Sequence, residues 1–116
     1  MHNHNDPKDQ QHIIDALPAE EITDTVAQAL KQLGDPTRLR IFWLLCHTEE
    51  CVTDIAEIIG MTSPAVSHHL RILKQAHLIS SRREGKEMFY RAADSPLVDM
   101  LHKSIETIGE ITCPRC

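Results

Sequence analysis

Apolar residues fall at helical spacing in five stretches of the chain and alternate like strands in one. Ile22, Val26, Ala29, Leu30 and Leu33 lie three or four apart, which predicts a helix over 19–33. Gly34 ends it, and Asp35 followed by Pro36 opens a second helix as N-cap and first-turn proline, running through Leu39, Ile41, Phe42, Leu44 and Leu45 to about His47. The polar run 47–50 is a connector. Val52 starts a short helix that Gly60 stops, and Thr62 or Ser63 caps the next, with Pro64 in its first turn. That helix carries Val66, Leu70 and Leu73 on one stripe and directs Ser67, His68, Arg71 and Lys74 elsewhere. Residues 78–82 and 88–91 then alternate around Glu84, Gly85 and Lys86 as a hairpin, and 96–111 returns to helical spacing through Leu97, Met100, Leu101, Ile105, Ile108 and Ile111.

Two short helices meeting at a glycine turn form a helix-turn-helix, and the hairpin after them is a wing. The expected fold is mainly α with a small β-hairpin wing, a winged helix-turn-helix in α-α-α-α-β-β-α order. At 116 residues the chain has room for one domain. Residues 1–18 lack periodicity and end in Pro18, so they read as a mobile arm. Residues 19–111 are expected to be a winged-helix DNA-binding and dimerisation domain, for the reasons of charge and resemblance below, and 112–116 a Cys-x-x-Cys tail. No apolar run approaches the roughly 18 to 20 residues that cross a bilayer, and the polar start has no signal-peptide pattern, so the expected compartment is the cytoplasm. No Ser-His-Asp arrangement or phosphate-cradling glycine loop points to an enzyme.

A net charge of -5 argues against nucleic acid until its distribution is followed. Between Arg71 and Arg91 six basic residues face only Glu84 and Glu87, whereas the first thirty residues set Lys8 against six acidic ones. A local basic face binds phosphates on an acidic protein. Short hydrogen-bonding side chains at the start of a recognition helix let the backbone approach base edges, a role that suits Ser63, Ser67 and His68. Arg71 and Lys74 farther along, with Arg82, Arg83 and Lys86 on the wing, are expected to neutralise phosphates of double-stranded operator DNA.

Several separated stretches resemble the ArsR/SmtB family of winged-helix, metal-responsive repressors from about Val26 to Glu110. They are residues 33–41 (LGDPTRLRI), 51–56 (CVTDIA), 63–70 (SPAVSHHL) and 85–90 (GKEMFY). The resemblance implies a homodimer built mainly on the first and last helices, a palindromic operator, and release of DNA when metal binds. The family's thiolate site commonly carries Cys-Val-Cys where this chain has Cys51, Val52 and Thr53. Its site on the last helix matches Asp94, Pro96, Thr107 and Glu110 here, without either histidine.

The remaining soft donors are Cys46 and His47 at the end of the second helix, Cys51, and the pair Cys113 and Cys116. Without an export signal, such cysteines suggest metal ligands, redox thiols or small apolar residues rather than structural disulfides. The expected metal ligands are Cys51, Cys113 and Cys116, with Cys46 next, though Cys46 fits equally as a small apolar residue of a core helix. Thiolates of this kind suit Cd(II), Pb(II), Zn(II) or As(III) as effector. A repressor that senses oxidants or persulfides through the same thiols is the alternative. Of the histidines, those of the N-terminal arm (His2, His4 and His12) read as part of a disordered segment, His68 and His69 as surface or DNA-contacting, and His77 and His102 as isolated structural residues.

Overall fold

The computed structural model describes residues 7–114. Its elements are α1 (Pro7–Asp15), α2 (Glu20–Gln32), α3 (Pro36–Leu45), β1 (Glu50–Cys51), α4 (Val52–Ile59), α5 (Ser63–Gln75), β2 (Ile79–Glu84), β3 (Glu87–Ala92) and α6 (Pro96–Gly109). Two of them depart from the sequence expectation. The arm holds a helix, α1, which buries none of its residues and gains a side-chain hydrogen bond from Gln11 to Asp15. Its apolar pair Ile13 and Ile14 is too short a signal to stand out as periodicity. The connector carries β1, whose two residues pair with β3 (Glu50 with Tyr90, Cys51 with Phe89), so the wing is a three-stranded sheet in the order β1-β3-β2. A two-residue strand has no alternation to detect.

Phe42 and Ile41 of α3, Ile55 of α4, Val66, Leu70 and Leu73 of α5, and Leu78 form the fully buried centre of the core. Val98 and Leu101 bring α6 against it. The start signals perform as expected. Asp35 accepts a hydrogen bond from the Arg38 backbone N–H at 2.9 Å, and that bond holds its carboxyl below the usual carboxylate range. Thr62, rather than Ser63, caps α5, and Ser95 caps α6. Gly60 ends α4 at φ 78, a left-handed conformation that lets its own N–H and that of Met61 both reach the Ala56 carbonyl and sets the tight turn into α5. Gly85 (φ 64) takes the first central position of the two-residue turn between β2 and β3.

The end of α5 solves the same problem without glycine. His77 sits at φ 61 while Leu78 N–H donates to the Leu73 carbonyl and His77 N–H to that of Lys74. A side chain in this region costs about 1 to 2 kcal/mol. His77→Gly is therefore expected to stabilise the protein by about 0.5 to 1 kcal/mol, after allowing for the extra freedom of glycine in the unfolded chain. Urea titrations of the two proteins would show it, and an unchanged or lower midpoint would rule out strain at this turn.

The molecule extends over 61 × 31 × 22 Å. α2 buries nothing, and Ile22, Val26 and Leu30 stand more than half exposed on one stripe. On α6, Leu101 is buried in the protomer's own core and Ile105 packs against it, whereas Leu97, Met100 and Ile108 are exposed. No helix among the described residues is long and apolar enough to cross a membrane.

Candidate nucleic-acid interface and metal centre

The helix-turn-helix is α4 and α5. Ser63 and His68 are exposed on α5, Ser67 is half-exposed beside them, and Arg71 and Lys74 follow along the exposed side. His69, adjacent in sequence, turns the other way. Its Nδ1 lies 3.3 Å from Arg38 Nε and 4.0 Å from Asp35, and burial pushes its pKa down. Arg38 also donates to the Gln32 carbonyl at 3.1 Å, so the 35–38 motif ties together α2, α3 and α5. His69 thus serves the scaffold, and His68 alone of the pair faces solvent.

The wing divides its cations between two faces. Cross-strand partners share a face, so Arg82 lies with Phe89 and Arg83 with Met88. Lys74 Nζ donates to Ser81 Oγ at 2.6 Å, which places Ser81 and Arg83 on the face turned towards α5. On the opposite face, Arg82 donates to Glu49 through Nε and Nη2 and to Glu84 through Nη1, and lies 5.0 Å from the centre of the Phe89 ring. These bonds hold the Glu49 carboxyl below its usual range and raise the guanidinium further. Arg82 is exposed like Arg83 and Lys86, but its guanidinium is engaged by two carboxylates of its own chain.

Among the described residues, no donor cluster holds more than one cysteine. Cys51 is buried at the start of α4, its backbone paired with Phe89. Cys46 caps α3, and burial, with Glu106 and Asp99 nearby, pushes its thiol up to about 12, so it stays protonated near neutral pH. Cys113 is disulfide-bonded in this structure, and Cys116 lies outside the described residues.

A different set does converge. His47, His102, Glu106 and Cys113 place one ligand atom each within 4.8 Å of one another. His102 Nε2 lies 3.0 Å from both His47 Nε2 and Glu106 Oε2, and His47 Nε2 lies 3.5 Å from the same carboxylate oxygen. Cys113 Sγ lies 3.8 Å from His47 Nδ1. The Trp43 indole N–H donates to Glu106 Oε2 at 3.1 Å, and its ring tilts against His47 at 4.4 Å. Glu110, at φ 52, turns the chain back after α6, with Ile111 N–H on the Glu106 carbonyl, and so returns Cys113 to the end of α3. Sequence reasoning gave His47 and Cys113 but took His102 as isolated and passed over Glu106. Their four-residue spacing, which puts both on one face of α6, was the available signal.

Residues 35–81 match the family model described as bacterial regulatory protein, arsR family. The transcriptional repressor SmtB of Mycobacterium tuberculosis is 34% identical over 95 residues, covering 82% of this chain and 70% of its own. A cadmium resistance transcriptional regulatory protein CadC homolog of Staphylococcus aureus is 38% identical over 80 residues, 68% of this chain and 66% of its own. Among solved structures, the homodimeric winged helix-turn-helix DNA-binding domain Mb0332 of Mycobacterium bovis superposes with a TM-score of 0.71 at 32% identity, covering 82% of this chain and 90% of that one. Identity of this extent over more than four fifths of the chain, on a shared winged helix-turn-helix fold, means that the chain belongs to the arsR family of transcriptional regulators, a family of regulators rather than enzymes.

Proposed function

We propose that the protein is a homodimeric repressor that binds a palindromic operator and releases it when a divalent metal ion binds. The observation that carries the DNA half of this reading is the joint exposure of Ser63, Ser67 and His68 beside Arg71, Lys74, Arg83 and Lys86. Short polar groups at the start of a recognition helix suit the reading of base edges, and flanking cations suit contact with phosphates. The dimer rests on the unpartnered stripes of α2 and α6, and on the relative whose homodimer shares this fold. The metal half rests on the donor set at the end of α3 and on the relative named for cadmium resistance.

Fluorescence anisotropy on operator DNA tests the whole reading. The reduced protein should bind in the absence of metal and lose affinity about 5- to 150-fold when Zn(II), Cd(II), Pb(II) or As(III) is added, the usual range of allosteric coupling. Affinity unchanged by all four would reject the metal response. The same assay separates the contacts. Arg83→Ala and Lys86→Ala should each lower affinity for every duplex and reduce the salt slope by about 1, whereas Arg82→Ala should leave the slope nearly as it was. Ser67→Ala and His68→Ala should narrow the gap between operator and random DNA. Equal losses on both DNAs would remove those two from base reading.

A second reading, a thiol-sensing repressor of the same fold, is favoured by the disulfide at Cys113. Operator release on oxidation with metals chelated, reversed by a reductant, would establish it.

A further inference from the structure

We propose that His47, His102, Glu106 and Cys113 of a single protomer form a four-coordinate site for a borderline divalent cation of the zinc class, and that this is the effector site. The second clause rests on the metal-responsive reading above; the first stands without it.

The geometry carries the assignment. His47 Nε2, His102 Nε2 and Glu106 Oε2 form a triangle with edges of 3.0, 3.0 and 3.5 Å. Ligands about 2.0 to 2.1 Å from a tetrahedral ion stand about 3.3 to 3.4 Å apart, so the triangle is close to one coordination face. Protons alone serve this arrangement poorly. Two imidazole nitrogens and the Trp43 indole converge on one carboxylate oxygen, while the two imidazole nitrogens also meet each other. A cation replaces these crowded contacts by accepting a lone pair from each group. The fourth position falls to Cys113 once its sulfur is reduced: the Glu110 turn keeps it in a set whose ligand atoms all lie within 4.8 Å, and a shift from its 3.8 Å contact with Nδ1, the other nitrogen of the His47 ring, brings it to the triangle.

Two nitrogens, one oxygen and one sulfur select the ion. Zn(II), and its probe Co(II), accept such mixed sets in tetrahedral geometry, whereas As(III) and Pb(II) favour several thiolates. The surroundings fit a binding site as well. The side chains of His47, Glu106 and His102 are only 8%, 13% and 20% exposed. His47 and His102 also line a polar cavity whose other walls include Asp94 and Asp99 as well as Arg91, so the carboxylates outnumber the cation there. Trp43 holds Glu106 in place through its indole N–H, the kind of supporting bond that fixes a ligand's orientation.

The site joins the end of α3 to α6. Because α6 also carries the exposed stripe of Leu97, Met100 and Ile108, a cation that draws these elements together would shift the dimer face relative to α5.

The chain's single tryptophan is part of this cluster, so binding can be followed without DNA. Reduced protein titrated with Co(II) should show one ion per protomer, intense tetrahedral d–d bands, a thiolate charge-transfer band and a change in Trp43 fluorescence, all reversed by Zn(II). His102→Ala and Glu106→Gln should each lower Co(II) affinity at least about 100-fold. Cys113→Ser should abolish the charge-transfer band, and Cys51→Ser should leave every signal intact. Thermal melts check that each variant folds, and the conservative Glu106→Gln decides the matter if His102→Ala does not. Loss of the bands in Cys51→Ser, or wild-type affinity in folded His102→Ala or Glu106→Gln, would overturn the site. Operator binding then separates the two claims. Metal-induced release that persists in folded His102→Ala or Glu106→Gln keeps the metal response and rejects this site as its cause. Zn(II) bound at the site with no effect on operator affinity keeps the site and rejects the metal response.

Discussion

Val26→Glu is expected to convert the dimer to a monomer and to weaken binding to a two-half-site operator by about 100- to 10,000-fold, while leaving affinity for an isolated half-site nearly unchanged. Val26 is 53% exposed in the protomer, between Ile22 and Leu30 at 56% each, so a carboxylate there costs the isolated fold little. Across a dimer interface the same carboxylate would be stripped of water without a partner. The operator loss follows because a dimer binds its second half-site intramolecularly, and that advantage vanishes with the dimer. Ile108→Glu on α6 should act in the same direction. Sedimentation at micromolar concentration, with anisotropy on full and half operators, measures both effects. A dimer that survives both substitutions would place the interface elsewhere.

Phe42→Ala should cost about 3 to 5 kcal/mol, a large share of the 5 to 15 kcal/mol typical of a folded domain. Phe42 is fully buried in a core shared by α3, α4 and α5, which leaves no flexible edge to collapse into the vacated space. The helix-turn-helix packs on that same core, so DNA binding should fail near the temperature at which the protein melts. Phe42→Leu, nearer in volume, should cost well under half as much. Urea unfolding of both variants checks the order, and a loss below about 1 kcal/mol for the alanine would show that the core closes around the gap.

Most of the fold could be read along the chain because its signals are local. Asp35 with Pro36, Thr62 with Pro64, and Gly60 and Gly85 at left-handed positions each act within a few residues, and the structure uses them as read. What escaped depends on contacts between distant segments. The role of Glu50 and Cys51 as a strand exists only because β3 lies alongside. The two faces of the wing assign Arg82 and Arg83 opposite partners, yet a charge count gives them equal weight. The donor cluster joins His47 to His102, 55 positions away, so the four-residue spacing of His102 and Glu106 announces only half of it. The cysteines drew attention by composition, but burial took Cys51 into the core and left Cys46 protonated.

The clamp between Arg82 and Glu49 bears on how fast the protein finds DNA. A two-stranded hairpin alone is marginally stable in water and would meet the duplex as an ensemble of shapes. Here β1 and the Arg82 bridge fasten the hairpin to the segment that follows α3 before any DNA arrives. Little ordering of the wing is then left to the encounter itself, so, on the proposed reading, a larger fraction of collisions would present Arg83 and Lys86 in a productive pose. Loosening the clamp with Glu49→Gln would therefore slow association while leaving Arg83 and Lys86, the proposed phosphate contacts, in place.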